Sequence, residues 1–442
     1  MTSVSGDVTA PLGGAPPAPQ PGGRLRPLLR GLQLPAWSAA QMAVQMGVAL
    51  LSARWLGPGD RGDLVLATTV ATLVLLVSSL GAGQASHVVL AEPGRWWTWP
   101  RYLGLAGLLT VPHVVLSATL GIAVLLRLST GDTTIVVPFL VYSATALSVH
   151  LLREGLHGLG WHRTTMAIDV TAASMQLLLI AGLHAAGALS PGTALYAGAV
   201  CYAGAITAQV LVGRIADAAS RTRPRAGLAE WWGEAKAFLM MSRAALVAVL
   251  GTSFVVIGDR LVLATLGSPE EVGIYAAASS LAQISWVAPV ALAPMLTRRT
   301  AASGTFDAWR QMYLRVLGLT AVLAVGVAIA GWFVIPFLLG DTFTPARDVL
   351  PVLCLAAVPY ASYHVDSAAC AGLRDLRTGA LGALVGCIAL VPTTAVGYLV
   401  LDTVGIGCGV VLAYVVMAAV ARARLTRHGE TLPATPSPVE AS

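Results

Sequence analysis

The sequence has 442 residues, of which 56% are apolar and only 11% charged, with a net charge of +6. Soluble domains carry about 25% charged and about 45–50% apolar residues, and disordered chains are poorer still in apolar types, so both classes are excluded. A mean hydropathy of +0.75 places the chain in a lipid bilayer.

Residues 1–33 read as a flexible cytoplasmic tail. Its first part, rich in Pro, Gly and Ala (GGAPPAPQPGG), lacks the apolar core and cleavage site of a signal peptide. Twelve apolar stretches follow, at 34–56, 64–83, 103–126, 135–152, 165–186, 194–213, 244–267, 272–295, 314–338, 349–371, 379–400 and 404–421. A spanning helix needs ~20 residues, so twelve use roughly 240, which leaves no room for a sizeable soluble domain. The last residues, 429–442, form a second flexible tail. The prolines inside the stretches are tolerable in bilayer helices and mark kinks. The five cysteines lie in or beside apolar runs without a Cys-x-x-Cys spacing, so neither a metal site nor a disulfide framework is expected, and no cofactor. No phosphate-binding loop, nucleophile elbow or His-Glu-x-x-His pair occurs, which argues against an enzyme.

Basic residues set the orientation. With the N-terminus inside, inner segments hold 22 of the 27, and outer segments hold Arg54, Arg61, Arg127, Arg260 and Arg347. That bias predicts an even helix number with both termini cytoplasmic. The arginines thus follow membrane topology and give no reason to expect nucleic acid. Trp96, Trp97 and Trp99, with Trp231 and Trp232, fall at inner boundaries and read as an interfacial aromatic belt.

The chain also repeats itself. LGPGDRGDLVLA (56–67) aligns with LGSPEEVGIYAAA (266–278), pairing Leu56-Gly57 with Leu266-Gly267 and Gly62 with Gly273. GLGWHRT (158–164) aligns with GLRDLRT (372–378), at an offset of 214 against 210–211 for the first pair. Two matches at nearly one offset imply two pseudo-symmetric lobes of six helices. They would occupy 34–213 and 244–428, joined by a basic cytoplasmic loop at 214–243. Parallel halves of this kind place a substrate path at their interface. The expected fold is therefore an all-α polytopic membrane protein of about twelve transmembrane helices.

Charges inside a bilayer are costly and face a cavity or a partner. The repeat places Asp259 and Arg260 about seven residues below the outer end of the seventh stretch, roughly 10 Å at 1.5 Å per residue. Their counterparts in the first half are Ala49 and Leu50. The pair is a candidate substrate contact or a structural clamp. Arg54 is a candidate for an anionic head group, which arginine holds bidentately, or for loop anchoring. Gln41 and Gln45 lie four apart on one helix face and either line the path or bond another helix. Asp366 maps near the inner surface and reads as half of a structural pair with Arg374 or a neighbour. Asp169 reads the same way.

ARWLGPGDRGDLVLA (53–67), GDRLVLATLGSPEEVGIYAAA (258–278) and FLLGDTFTPA (337–346) together resemble the polysaccharide-transporter branch of the MOP (multidrug/oligosaccharidyl-lipid/polysaccharide) superfamily. The resemblance implies a carrier that alternates between inward- and outward-open forms and flips lipid-linked oligosaccharides across the bacterial plasma membrane. It carries over to Arg54, Gly57, Asp259, Gly267, Gly273 and Tyr275. It implies a lipid-linked glycan substrate, membrane lipids and glycan-assembly glycosyltransferases as partners. The rival readings are a cation-coupled drug exporter of the same superfamily and a non-transporting envelope-assembly protein. A membrane glycan polymerase or ligase would carry a long outer loop with the reacting groups, and the outer segments here are short.

Overall fold

The computed structural model describes residues 25–91, 97–128, 133–218, 227–303, 305–373, 375 and 377–431. The outermost parts of both expected tails, together with Trp96 and Arg374, lie outside the described residues. Among the described residues all regular structure is helical, and ten helices are long and apolar enough to cross a membrane. Two of the ten are too long for one crossing, at 40 and 51 residues, since ~20 residues already span the ~30 Å core.

Both of these are broken. Leu25–Ser78 leaves helical geometry at Gly57 (φ 78, ψ 172), and Arg377–Thr431 does so at Leu401 and Asp402 (φ 51). The second break is a hairpin. Gly397 abuts the Gly405 backbone, the Thr393 hydroxyl donates to Gly409 O at 2.9 Å, and Gly386 faces Met417. One number falls as the other rises, which is antiparallel register.

Among the described residues twelve crossing segments result, the number predicted. We label them α1 (25–56), α2 (58–78), α3 (Trp99–Leu128), α4 (Val136–Gly158), α5 (His162–Ala185), α6 (Pro191–Ala218), α7 (Leu228–Leu266), α8 (269–303), α9 (307–339), α10 (Ala346–Gly372), α11 (377–400) and α12 (403–431). A short helix, Ala82–Val89, follows α2. With an even number of crossings, α1 begins and α12 ends on one face, here called proximal. The other face is distal.

Two boundaries differ from expectation for local reasons. The sequence places a loop at 57–63, but α2 begins directly after Gly57. Glycine accepts the positive φ, and Pro58 is suited to a first helical turn. In the segment read as a basic loop, α6 runs on to Ala218 and α7 already begins at Leu228.

The cores report how the halves meet. One cluster joins both halves at the distal end, with Leu66, Val70 and Phe139 from the first and Leu263, Tyr275 and Leu350 from the second. Toward the proximal face the cores separate. Trp99, Tyr102 and Leu151 form one, which also takes in Phe238 of α7. Tyr363, Ala383 and Tyr414 form another, and Leu296 and Val365 a third.

The predicted aromatic belt divides. Trp232 is 56% exposed and fits it, but Trp97 and Trp99 are 4% and 0% exposed and belong to the core. Trp99 packs closely against α6 because Gly213 leaves a slot there. A Cβ at Gly213 would sit 2.0 Å from the indole. Gly213→Ala should therefore displace Trp99 and lower stability by about 1–3 kcal/mol. Thermal unfolding in detergent checks this, and an unchanged midpoint would contradict the slot.

Candidate functional site

Polar side chains gather at one place in the first half. Gln45, Ala49 and Ser52 occupy one face of α1, at helical spacing. With Arg61 and Thr68 of α2, Tyr142 of α4, Gln176 of α5 and Tyr202 of α6, they line a cavity of about 310 Å³. The Tyr142 and Tyr202 hydroxyls stand 3.4 Å apart, with their rings stacked at a tilt, 5.4 Å between centroids. Amides, phenols, hydroxyls and one guanidinium suit a hydroxyl-rich or anionic ligand, and no carboxylate is among the lining side chains.

Arg61 is the residue that sequence reasoning misplaced. The sequence puts it in an outer loop, because 57–63 reads as a connection. With α2 starting at residue 58, Arg61 falls in its first turn and is only 8% exposed. Its Nη1 donates to Ser52 Oγ at 2.9 Å, and among the described residues its buried Nε meets no acceptor. The repeat held a clue, because Arg61 has an apolar counterpart, Val272, in the second half. Tyr142, Gln176 and Tyr202 have no signature in the sequence, since single polar residues in apolar stretches carry no spacing signal.

Asp259 and Arg260 lie in the distal half of α7, which ends at Leu266 as the repeat required. Asp259 is 4% exposed. It accepts from the Tyr275 hydroxyl at 2.6 Å and from the Arg260 backbone N–H at 2.8 Å. Its oxygens are thus engaged within the second half, and Tyr275, which the family resemblance also marked, is the clamp partner. Arg260 turns elsewhere. Its Nη2 donates to Ser279 Oγ at 3.2 Å, and its buried Nε meets no acceptor among the described residues. Arg61 in the first half and Arg260 in the second thus each keep a buried Nε without an acceptor among the described residues.

The remaining candidates scatter. Gln45 lines the first-half cavity, whereas Gln41, one turn nearer the proximal face, is half-buried and not among its lining residues. Arg54 donates through Nη1 to the Phe337 and Leu338 carbonyls, at 3.1 and 2.9 Å. It satisfies the last turn of α9 and ties the halves together at the distal face. Beside it the Pro58–Gly62 backbone crosses Pro269–Gly273. A Cβ on Gly62 would lie 1.7 Å from Pro269 O, and one on Gly273 2.0 Å from Pro58 O. Asp366 is fully buried and paired, but with Arg422 at 2.8 and 3.1 Å and with Trp309 Nε1 at 2.8 Å. No group of three or more His, Cys, Asp or Glu side chains among the described residues is placed to hold a metal.

Solved structures share this architecture. An inward-facing multidrug resistance MATE family transporter of the MOP superfamily superposes with a TM-score of 0.60 at 16% identity, covering 91% of this chain and 99% of its own. The lipid II flippase MurJ, in an inward closed conformation, gives a TM-score of 0.66 at 10% identity over 88% and 87%. The chain shares the fold of these two solved structures. The eukaryotic MATE transporter AtDTX14 is similar as well, with a TM-score of 0.56, 16% identity and coverage of 90% and 96%. No protein-family model and no curated protein sequence matches the chain. These neighbours are transporters and a flippase rather than enzymes, and the multi-pass membrane fold expected from the sequence is the one observed.

Proposed function

We propose that this MOP-fold protein flips a lipid-linked, anionic glycan across the bacterial plasma membrane by rocking two six-helix halves, 34–213 and 244–428, against each other. The observation that carries this reading is the first-half cavity, where Arg61, with an unsatisfied buried Nε, stands among the amide, phenol and hydroxyl groups of Gln45, Ser52, Tyr142, Gln176 and Tyr202. A buried guanidinium with an unmet donor in a bilayer protein is costly. A phosphate or pyrophosphate at Arg61 supplies that charge-assisted partner, and Arg260 is the second-half candidate for the same head group. The amides and phenols around Gln45, Gln176, Tyr142 and Tyr202 suit the first sugars, while the polyprenyl tail stays in lipid. A lipid II flippase is among the solved structures of this fold.

The basic segments favour cytoplasmic termini. The described state, closed at the distal face, is then closed to the outside. Glycosyltransferases that build the lipid-linked glycan are the expected neighbours of the proximal face. The cation-coupled drug exporter is the second reading, since MATE transporters share the fold. It is disfavoured by the first-half cavity, which offers an organic cation a guanidinium and no lining carboxylate.

Proteoliposomes carrying a fluorescent lipid-linked pyrophosphoryl glycan test the proposal. Arg61→Ala and Arg260→Ala should each slow flipping by roughly 10–100-fold, the worth of one hydrogen bond to a charged group. Lysine at either position should restore part of the rate. Wild-type rates in both alanine variants would overturn the proposal. Transport of organic cations without glycan flipping would install the exporter instead.

A further inference from the structure

The first turns of α7 have an outer face that nothing in the glycan reading uses. Residues 228–246 are packed on the first half by their inner face. Glu234 binds Arg101 at 3.2 Å, Phe238 packs at a tilt against Trp97, and the Ser242 hydroxyl donates to Leu80 O at 2.6 Å. The opposite face carries Trp232, Lys236, Met240, Arg243 and Val247, all exposed. They are spaced as one helical stripe. Lys236, the sole lysine of the chain, and Arg243 lie two turns apart on that stripe, about 10 Å along the axis. Among the described residues neither forms an ion pair, whereas the nearby acid Glu234 is held by Arg101.

Between the stripe and the first half runs a groove of about 340 Å³, whose walls include Leu80, Leu108, Leu239 and Leu246, with Lys236 and Arg243 on its rim. That volume is in the range of a small-molecule site. The lining is nearly all hydrocarbon, and its charged groups are both cationic. Trp232, half exposed at one end, is the residue type that sits at the head-group level of a membrane.

We infer that this groove binds one anionic glycerophospholipid of the proximal leaflet, with its phosphate between Lys236 and Arg243 and an acyl chain along Leu239 and Leu246. An apolar groove rimmed by two unpaired cations and flanked by an interfacial tryptophan matches a lipid that has both parts. A soluble phosphate would leave the hydrocarbon walls empty, and a zwitterionic lipid would bring its own cation against the two on the rim. Leu80 and Leu108 belong to the first half and the stripe to α7, so the lipid bridges the join between the halves and holds α7 on the first. This inference rests on membrane residence alone and is independent of what is transported.

Thermal unfolding of the full chain in phosphatidylcholine nanodiscs, with and without phosphatidylglycerol, tests it. Phosphatidylglycerol should raise the wild-type midpoint. Native mass spectrometry should show a retained phosphatidylglycerol and no retained phosphatidylcholine. Lys236→Gln/Arg243→Gln and Lys236→Glu/Arg243→Glu should keep the midpoint seen in pure phosphatidylcholine and lose both the rise and the retained lipid. Lys236→Arg should keep both. Leu108→Trp should block the groove and abolish retention with both cations intact. Glycerol phosphate, a head group without chains, should have no effect. A wild-type rise that survives in the glutamine variant, or a rise matched by glycerol phosphate, would overturn the proposal, as would equal retention of the two lipids. Should the charge variants fail to fold, Leu108→Trp decides by itself, because retention unchanged by a filled groove contradicts the site.

Discussion

Gly273→Val and Gly62→Val should each prevent the distal crossing of α2 and α8 from closing. Backbone already touches backbone there, and a Cβ on either glycine would fall within 2.0 Å of a proline carbonyl of the other half. No rotamer relieves such an overlap, because the obstructing atoms are main chain. The helices must separate, and the tightly packed core around Tyr275 and Leu66 must separate with them. Overpacking costs about 1–3 kcal/mol where side chains can give way, so a cost at or above the top of that range is expected here. Gly59→Val is the control, since its Cβ would meet nothing within 4 Å. Thermal unfolding should show a loss for positions 62 and 273 and little for 59. Thiol labelling at Ser268→Cys should rise in the first two. Wild-type behaviour in both would mean that the halves do not meet as described.

Arg422→Ala should destabilise the second half more than Asp366→Asn does, although each removes the same ion pair. Asp366 is fully buried, whereas the Arg422 side chain is 33% exposed. Losing the arginine leaves a buried carboxylate with only the Trp309 indole N–H at 2.8 Å. A buried charge stripped of its partner costs about 3–5 kcal/mol. Losing the carboxylate's charge leaves an arginine that can turn to solvent and still stack over Tyr313 and Trp309, at 4.2 and 5.1 Å from the ring centroids. That change should cost about 1–2 kcal/mol. Unfolding midpoints of the two variants, with the double variant to close the cycle, give the order. Equal losses, or the reverse order, would refute the asymmetry.

The fold was legible because its signals are periodic and long. Apolar stretches of membrane length gave the count, and the repeat gave the halves. The distance from Leu56-Gly57 to Leu266-Gly267 placed the end of α7. Legibility failed where one dihedral angle decides. Gly57 turns so tightly that no loop is needed, and a reader who allots seven residues to the connection puts Arg61 in water when it is inside. The candidate site was half legible for a related reason. Asp259 and Arg260 stand out as charges in an apolar run, but their division of labour is set by Tyr275 and Ser279, partners that only folding reveals. Arg54 was conspicuous by its charge, yet its two bonds end on α9 carbonyls some 280 residues away. Nothing local announces such partners.

The distal crossing is reciprocal. Pro58 and Gly62 align with Pro269 and Gly273 at one offset, and each proline carbonyl faces the glycine of the opposite half. A contact in which i meets j while j meets i is isologous, the signature of a two-fold dimer. A six-helix ancestor carrying a single copy of this motif would therefore have met its own twin at the same spot. Arg61 and Arg260 break this symmetry, since their counterparts in the opposite halves are Val272 and Leu50.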